Sequence, residues 1–110
     1  MYNIEQSVLA SILNAWRYTD EQYEKLTSIK LNENMFTGYN KAIARAINKL
    51  NEKQEPITEL DVMLFLENVS YLKDDFNQVL SKQSLPYNIA MAYLTKIEHD
   101  YKLRLAGIIR

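Results

Sequence analysis

One histidine, His99, sits between two carboxylates in the string Glu98-His99-Asp100, and the chain has no cysteine. Nucleophilic catalysis needs a Ser or Cys beside such an imidazole and a carboxylate to orient it. On a helix, adjacent residues leave the axis about 100° apart, so the two flanking acids point to different sides from His99. We read His99 as an exposed helical residue. A lone histidine without thiolates cannot build a zinc site either. A phosphate cradle of the form GxxxxGKS or GxxxxGKT needs two glycines five apart and a lysine, whereas Gly38 and Gly107 stand alone. The carboxylates Glu5, Glu21, Glu33, Asp61 and Asp74 fall mainly at the starts of helical stretches, where they oppose the positive helix end. No catalytic, cofactor-binding or metal residue is expected, and the chain by itself is read as non-enzymatic.

The one charge pattern that could bind is basic. Lys41, Arg45, Lys49 and Lys53 step by four, opposite an apolar face, and form either a solvated ridge or a docking surface for an acidic partner. Eight tyrosines add amphipathic area of the kind interfaces use, although Tyr39, Tyr93 and Tyr101 lie on apolar stripes and are read as packing residues. Thirteen Lys and Arg against fourteen Asp and Glu leave a net charge of −1, so no overall field holds the chain on nucleic acid. A length of 110 residues with 47% hydrophobic and 25% charged side chains is that of one globular domain with its own core. No signal-peptide pattern opens the chain, and no apolar run reaches the roughly 18 to 20 residues of a membrane span. The absence of cysteine fits a reducing compartment. A cytoplasmic protein without a membrane partner is expected.

The elements that must carry these residues are helices. Only two Gly and two Pro are available for turns, and the apolar spacing is helical nearly throughout, so an all-α bundle of about six helices is expected. In the first helix, Ile4, Val8, Ile12 and Trp16 step by four beside Leu9 and Leu13. Asn3 caps it with Gln6 at the reciprocal position, and small Ser7, Ala10, Ser11 and Ala15 let neighbours come close. Thr19 and Gln22 open a second helix that ends near Ser28, with Tyr18 and Tyr23 at staple spacing. Residues 31–36 form a connector, with at most one short turn, whose Met35 and Phe36 plug the core. Thr37 caps a third helix from about Gly38 to Lys53 that buries Tyr39, Ile43, Ala46, Ile47 and Leu50. Thr58 and Asp61 cap a fourth helix bearing Leu64, Phe65, Leu66 and Val69, with Ile57 stapled on Val62. A short fifth helix near Asp74 to Lys82 buries Phe76, Val79 and Leu80. Pro86 and Asn88 open a long sixth helix with Ile89, Tyr93, Ile97, Tyr101 and Leu105 every fourth residue. It is expected to run to Arg110 without a stop signal, truncated inside an element of a longer protein.

These landmarks resemble a known family. Ile4-Glu5-Gln6-Ser7-Val8-Leu9 is similar to the "EQSVLG" opening of the N-terminal domain of bacterial DnaB-family replicative DNA helicases. In the same order follow Phe36 and Tyr39 before Ile43 and Ala46, then Glu55-Pro56-Ile57 ahead of a helix, then Asn88-Ile89 with Tyr93, Ile97 and Arg104. The resemblance covers essentially the whole chain. It departs at Ala10 and Gln54, where the family has Gly, at Thr58, where it has Asp, and around Tyr71 to Asp75, where a glycine-containing loop is missing. Thr58 caps as well as Asp does. Gln54 implies a different turn or a non-glycine at positive φ, at a cost of about 1 kcal/mol. The departures point to a divergent member of phage or plasmid type.

The resemblance implies that residues 1–110 are a single helical collar domain preceding a helical hairpin, a linker and a motor domain that lie outside this chain. It implies self-association into a ring-shaped hexamer, with primase and helicase-loading proteins as partners and no direct contact with nucleic acid. ATP and Mg are implied only for the motor domain. Lys41, Arg45, Lys49 and Lys53 are then candidates for partner docking. Tyr101, Arg104, Leu105, Ile108 and Ile109 are candidates for the subunit interface. Two other readings compete: the helicase-binding C-terminal domain of a bacterial primase, and a small helical DNA-binding regulator. The Met-initiated opening disfavours the first. Near-neutral charge and the lack of a short Gly-containing helix-turn-helix disfavour the second.

Overall fold

A computed structural model of the chain describes residues 2–54, 57–66 and 73–107. Among them the fold is all-α, without strands: six α-helices and two 3-10 turns make up the chain order α1 (Tyr2–Leu13), a turn at Ala15–Arg17, α2 (Asp20–Ser28), a turn at Glu33–Met35, α3 (Tyr39–Glu52), α4 (Glu59–Leu66), α5 (Lys73–Leu80) and α6 (Tyr87–Leu105). The Cα radius of gyration is 13.4 Å, close to the ~13 Å expected of a folded chain this long.

The middle of the bundle is α1, which packs against α3, α5 and α6. Val8, Leu9, Ile12 and Leu13 are buried, as their spacing predicts, and Ala10, Ser11 and Ala15 are buried among them because small side chains let neighbouring backbones approach. Each of the larger residues contributes about 1.5–3 kcal/mol by leaving water. Because α1 is enclosed on most sides, polar residues are also driven inside and must find partners. Ser11 Oγ donates to the Ser7 carbonyl at 2.8 Å and accepts from Leu85 N–H at 2.9 Å. Asn14 Nδ2 donates to the Ala10 carbonyl at 2.9 Å.

Two expectations for this region are corrected. The helix starts at Tyr2, so Asn3 lies inside its first turn and not in front of it, and Gln6 is buried in the bundle. The helix also stops at Leu13, which puts Trp16 in the following 3-10 turn instead of on the α1 stripe; its side chain lies outside the described residues.

The α2 cap forms as spaced: Gln22 N–H donates to Thr19 Oγ1 at 3.2 Å and Thr19 N–H to Gln22 Oε1 at 3.4 Å. Tyr18 turns its edge to Tyr87, ring centroids 6.1 Å apart, and its hydroxyl donates to the Leu85 carbonyl. The connector runs through the short turn expected of it, with Met35 and Phe36 buried. Asn48, buried on α3, braces the connector by accepting from Leu31 N–H at 2.9 Å and donating back to its carbonyl.

Thr58 caps α4 by accepting from Asp61 N–H at 3.1 Å, and Ile57 and Val62 are both buried. The Asp61 carboxylate in turn accepts the Thr58 hydroxyl at 2.6 Å. Leu66 is buried, but Leu64, expected inside, is 53% exposed. Val69, Glu55, Pro56 and the loop from Tyr71 lie outside the described residues, as do the side chains of Phe65 and Phe76.

The α6 stripe holds in its middle, where Ile97 is buried and Tyr93 and Tyr101 pack against the core, and fails at its ends, where Ile89 and Leu105 are 42% and 69% exposed; Ala90 and Leu94 are buried beside it. Four residues advance a helix by about 400°, so a strict four-step row drifts about 40° per step and its two ends face apart. The helix also does stop: Ala106 is its C-cap, and Gly107 follows at φ +76°, its N–H bonded to the Arg104 carbonyl at 3.0 Å. Gly107 is the left-handed terminator, a stop signal where none was expected.

Candidate docking ridge

Two local features fix the ridge on α3. Gly38 enters the helix at φ 55°, ψ −134°, a conformation open to glycine and costly for other residues. Thr37 does not cap α3, contrary to expectation. The buried Glu5 on α1 instead braces the entry to α3: its Oε1 accepts from Thr37 N–H at 2.7 Å, Thr37 Oγ1 at 3.1 Å and Asn40 Nδ2 at 3.2 Å. Glu5 stands in the first turn of α1, as expected, and also reaches across to this second helix start.

On the outer face of this anchored helix, Lys41 is half-buried and Arg45, Lys49 and Lys53 are exposed. The drift of a four-step row turns Lys53, the C-cap, about 120° away from Lys41. Arg45 Nε and Nη2 both donate to Glu33 Oε1, at 3.1 and 3.0 Å, and Lys49 lies 3.7 Å from Glu52. Neither Lys41 nor Lys53 enters an ion pair among the described residues. The hydrogen bond from Arg45 holds the Glu33 carboxyl below its usual range; desolvation opposes this, and the charges of Arg45, Lys41 and Lys49 add to the lowering. A shallow groove beside the ridge is lined by Lys30, Leu31, Glu33, Arg45, Asn48 and Lys49, among others. Glu33 lies 12 residues from Arg45, and no local spacing rule links them.

The candidate interface residues divide. Tyr101 packs partly buried against the core, and Arg104 Nη2 donates to the Met35 carbonyl at 3.0 Å while its guanidinium lies 5.7 Å from the Tyr101 ring centroid. Both therefore serve the bundle itself. Leu105 is exposed and, with Ile29, Leu31, Met35 and Leu94, lines a second groove between α6 and the connector. Ile108 and Ile109 lie outside the described residues.

One more surface lies outside these expectations. Leu60, Met63 and Leu64 expose an apolar strip on α4. The signal was present, because the helix reads ELDVMLFL and is apolar on every side, more than one buried face can absorb.

His99 is exposed, as expected. Among the described residues, no group of three His, Cys, Asp or Glu is placed to hold a metal ion, and no helix is long and apolar enough to cross a membrane. No protein-family model, no curated protein and no solved structure matches the chain.

Proposed function

We propose that the chain is a non-catalytic assembly and partner-docking domain of a DnaB-family replicative helicase, serving the ring collar and the docking of primase and loader. The observation that carries this reading is where the family-like landmarks lie. Glu5, Val8, Leu9, Phe36, Tyr39, Ile43, Ala46, Ile57 and Ile97 are all buried, and Arg104 ties α6 to the connector. A set of residues shared for structural reasons would lie at such positions; among the other landmarks Ile4, Ser7 and Tyr93 are half-buried, Asn88 and Ile89 are exposed, and Glu55 and Pro56 lie outside the described residues. A fold alone does not assign a function, so the partner must be tested directly.

Calorimetric titration of the chain with the C-terminal domain of a bacterial primase, with duplex DNA as counter-probe at physiological salt, supplies that test. Heat of binding with the primase domain and none with DNA is the expected result. Micromolar retention of duplex DNA without primase binding would support the DNA-binding regulator instead. In its gene, the reading frame after Arg110 is expected to continue into a hairpin, a linker and a GxxxxGKS or GxxxxGKT loop.

A further inference from the structure

The cations of α3 are not spread evenly over a solvated face. Lys30, Arg45 and Lys49 line one groove with Glu33 and Glu52, and Lys41, one turn before Arg45, prolongs it along the helix, whereas Lys53 has turned away. These four cations and two carboxylates carry +2 on a chain whose total is −1, so the rest of the chain carries −3. Charge is therefore segregated, and the positive part is concave. At its centre one position is already filled: the Glu33 carboxylate, on which Arg45 closes through two nitrogens. Glu33 is not a wandering side chain. Its turn is pinned by the Asn32 side chain, which accepts Asn34 N–H at 3.0 Å, and by the buried Met35 and Phe36 that follow.

We propose that this groove binds an acidic polypeptide segment of a partner protein, and that Glu33 occupies the carboxylate position at Arg45 until the partner's own acid displaces it. Glu33 thus acts as an internal competitor. A peptide suits the groove better than a nucleic acid does. A phosphate backbone presents charge at every nucleotide and meets Glu52 as well as Glu33, whereas a peptide sets neutral side chains against those positions and apolar ones against Leu31. The inference gives the docking half of the proposed function a surface and a chemistry, and it rests on that reading for its biological partner. Its test needs only the chain and a peptide, so its failure leaves the primase titration to judge the helicase reading separately.

The probe is a fluorescein-labelled 12-residue peptide alternating Glu with Leu or Ser, read by anisotropy against a labelled 12-nucleotide oligo-dT. The peptide is expected to bind, and to bind less as salt rises. Glu33→Gln should tighten it about threefold, the scale of one exposed ion pair. Glu98→Gln, an equal change of charge on α6, should not. Lys41→Glu with Lys49→Glu should abolish binding while circular dichroism stays that of the wild type. The proposal is overturned if no peptide binding is detected, if Glu98→Gln tightens binding as much as Glu33→Gln, if charge reversal leaves affinity unchanged, or if oligo-dT binds more tightly than the peptide.

Discussion

Glu5 is buried with three donor groups around one of its oxygens, a setting in which a carboxylate has few substitutes. Glu5→Gln keeps the shape but removes the charge that strengthens these bonds, and replaces the oxygen that accepts from Thr37 Oγ1 at 3.0 Å with an amide nitrogen. A loss of about 2 kcal/mol is expected, read as a lower urea midpoint at unchanged slope. Thr37→Ser, which keeps the hydroxyl, should cost far less. The second residue-scale expectation concerns acid. Because Glu33 is held below its ordinary range by Arg45, its pair with Arg45 stabilises the fold above the unfolded-state carboxylate range. That contribution disappears as pH falls through the lowered value of the folded chain. Carbon-13 NMR titration of Glu33 should give a higher midpoint in Arg45→Gln than in the wild type. Neither role was legible in the sequence. Capping rules look three or four residues ahead, whereas Thr37 stands 32 residues from Glu5 and Arg45 stands 12 from Glu33.

At the scale of elements, α3 and α6 end in the same way with different residues. In both, the N–H two positions past the last helical residue bonds back three residues, Gln54 to Asn51 at 3.1 Å and Gly107 to Arg104 at 3.0 Å. Both residues have positive φ, 59° and 76°. Gln54→Gly should therefore stabilise the chain by about 0.5–1 kcal/mol, and Gly107→Ala should destabilise α6 by a similar amount. Among the described residues, no atom outside the adjoining backbone lies within 4 Å of an added Gly107 Cβ, so the second cost is in the backbone. Thermal melts check both, with hydrogen exchange at residues 103–105 reporting the loosened end. The positive φ of Gln54 was legible because the family pattern has glycine there. Gly107 was missed because a four-step stripe was followed through it. The same stripe misplaced Ile89 and Leu105, and core substitutions should expose the error: Ile97→Ala is expected to cost about 2–5 kcal/mol and Ile89→Ala under 1. The termini of α2 and the capping threonine of α4 were legible because their signals are complete within a few residues.

For the whole molecule, helix number, order and class were legible, because apolar period and scarce Gly and Pro act along the chain. The assignment of partners between helices was not, since α1 takes its neighbours from three elements far apart in sequence. The exposed strip of Leu60, Met63 and Leu64 bears on assembly. Three side chains cover much less than the ~800 Å² per partner of a standard interface, so the isolated chain should be a monomer at micromolar concentration. Small-angle scattering should return a radius a few ångströms above the 13.4 Å Cα value, and a markedly larger one would reveal assembly through another face. The bond from Leu85 to Ser11 has a temporal meaning as well. As the polypeptide leaves the ribosome, α1 emerges with its greasy sides bare and meets its final neighbours only once the residues of α6 have been translated. Of the six helices it is thus the one that waits longest for shelter, and a chaperone would serve the nascent bundle most in that interval.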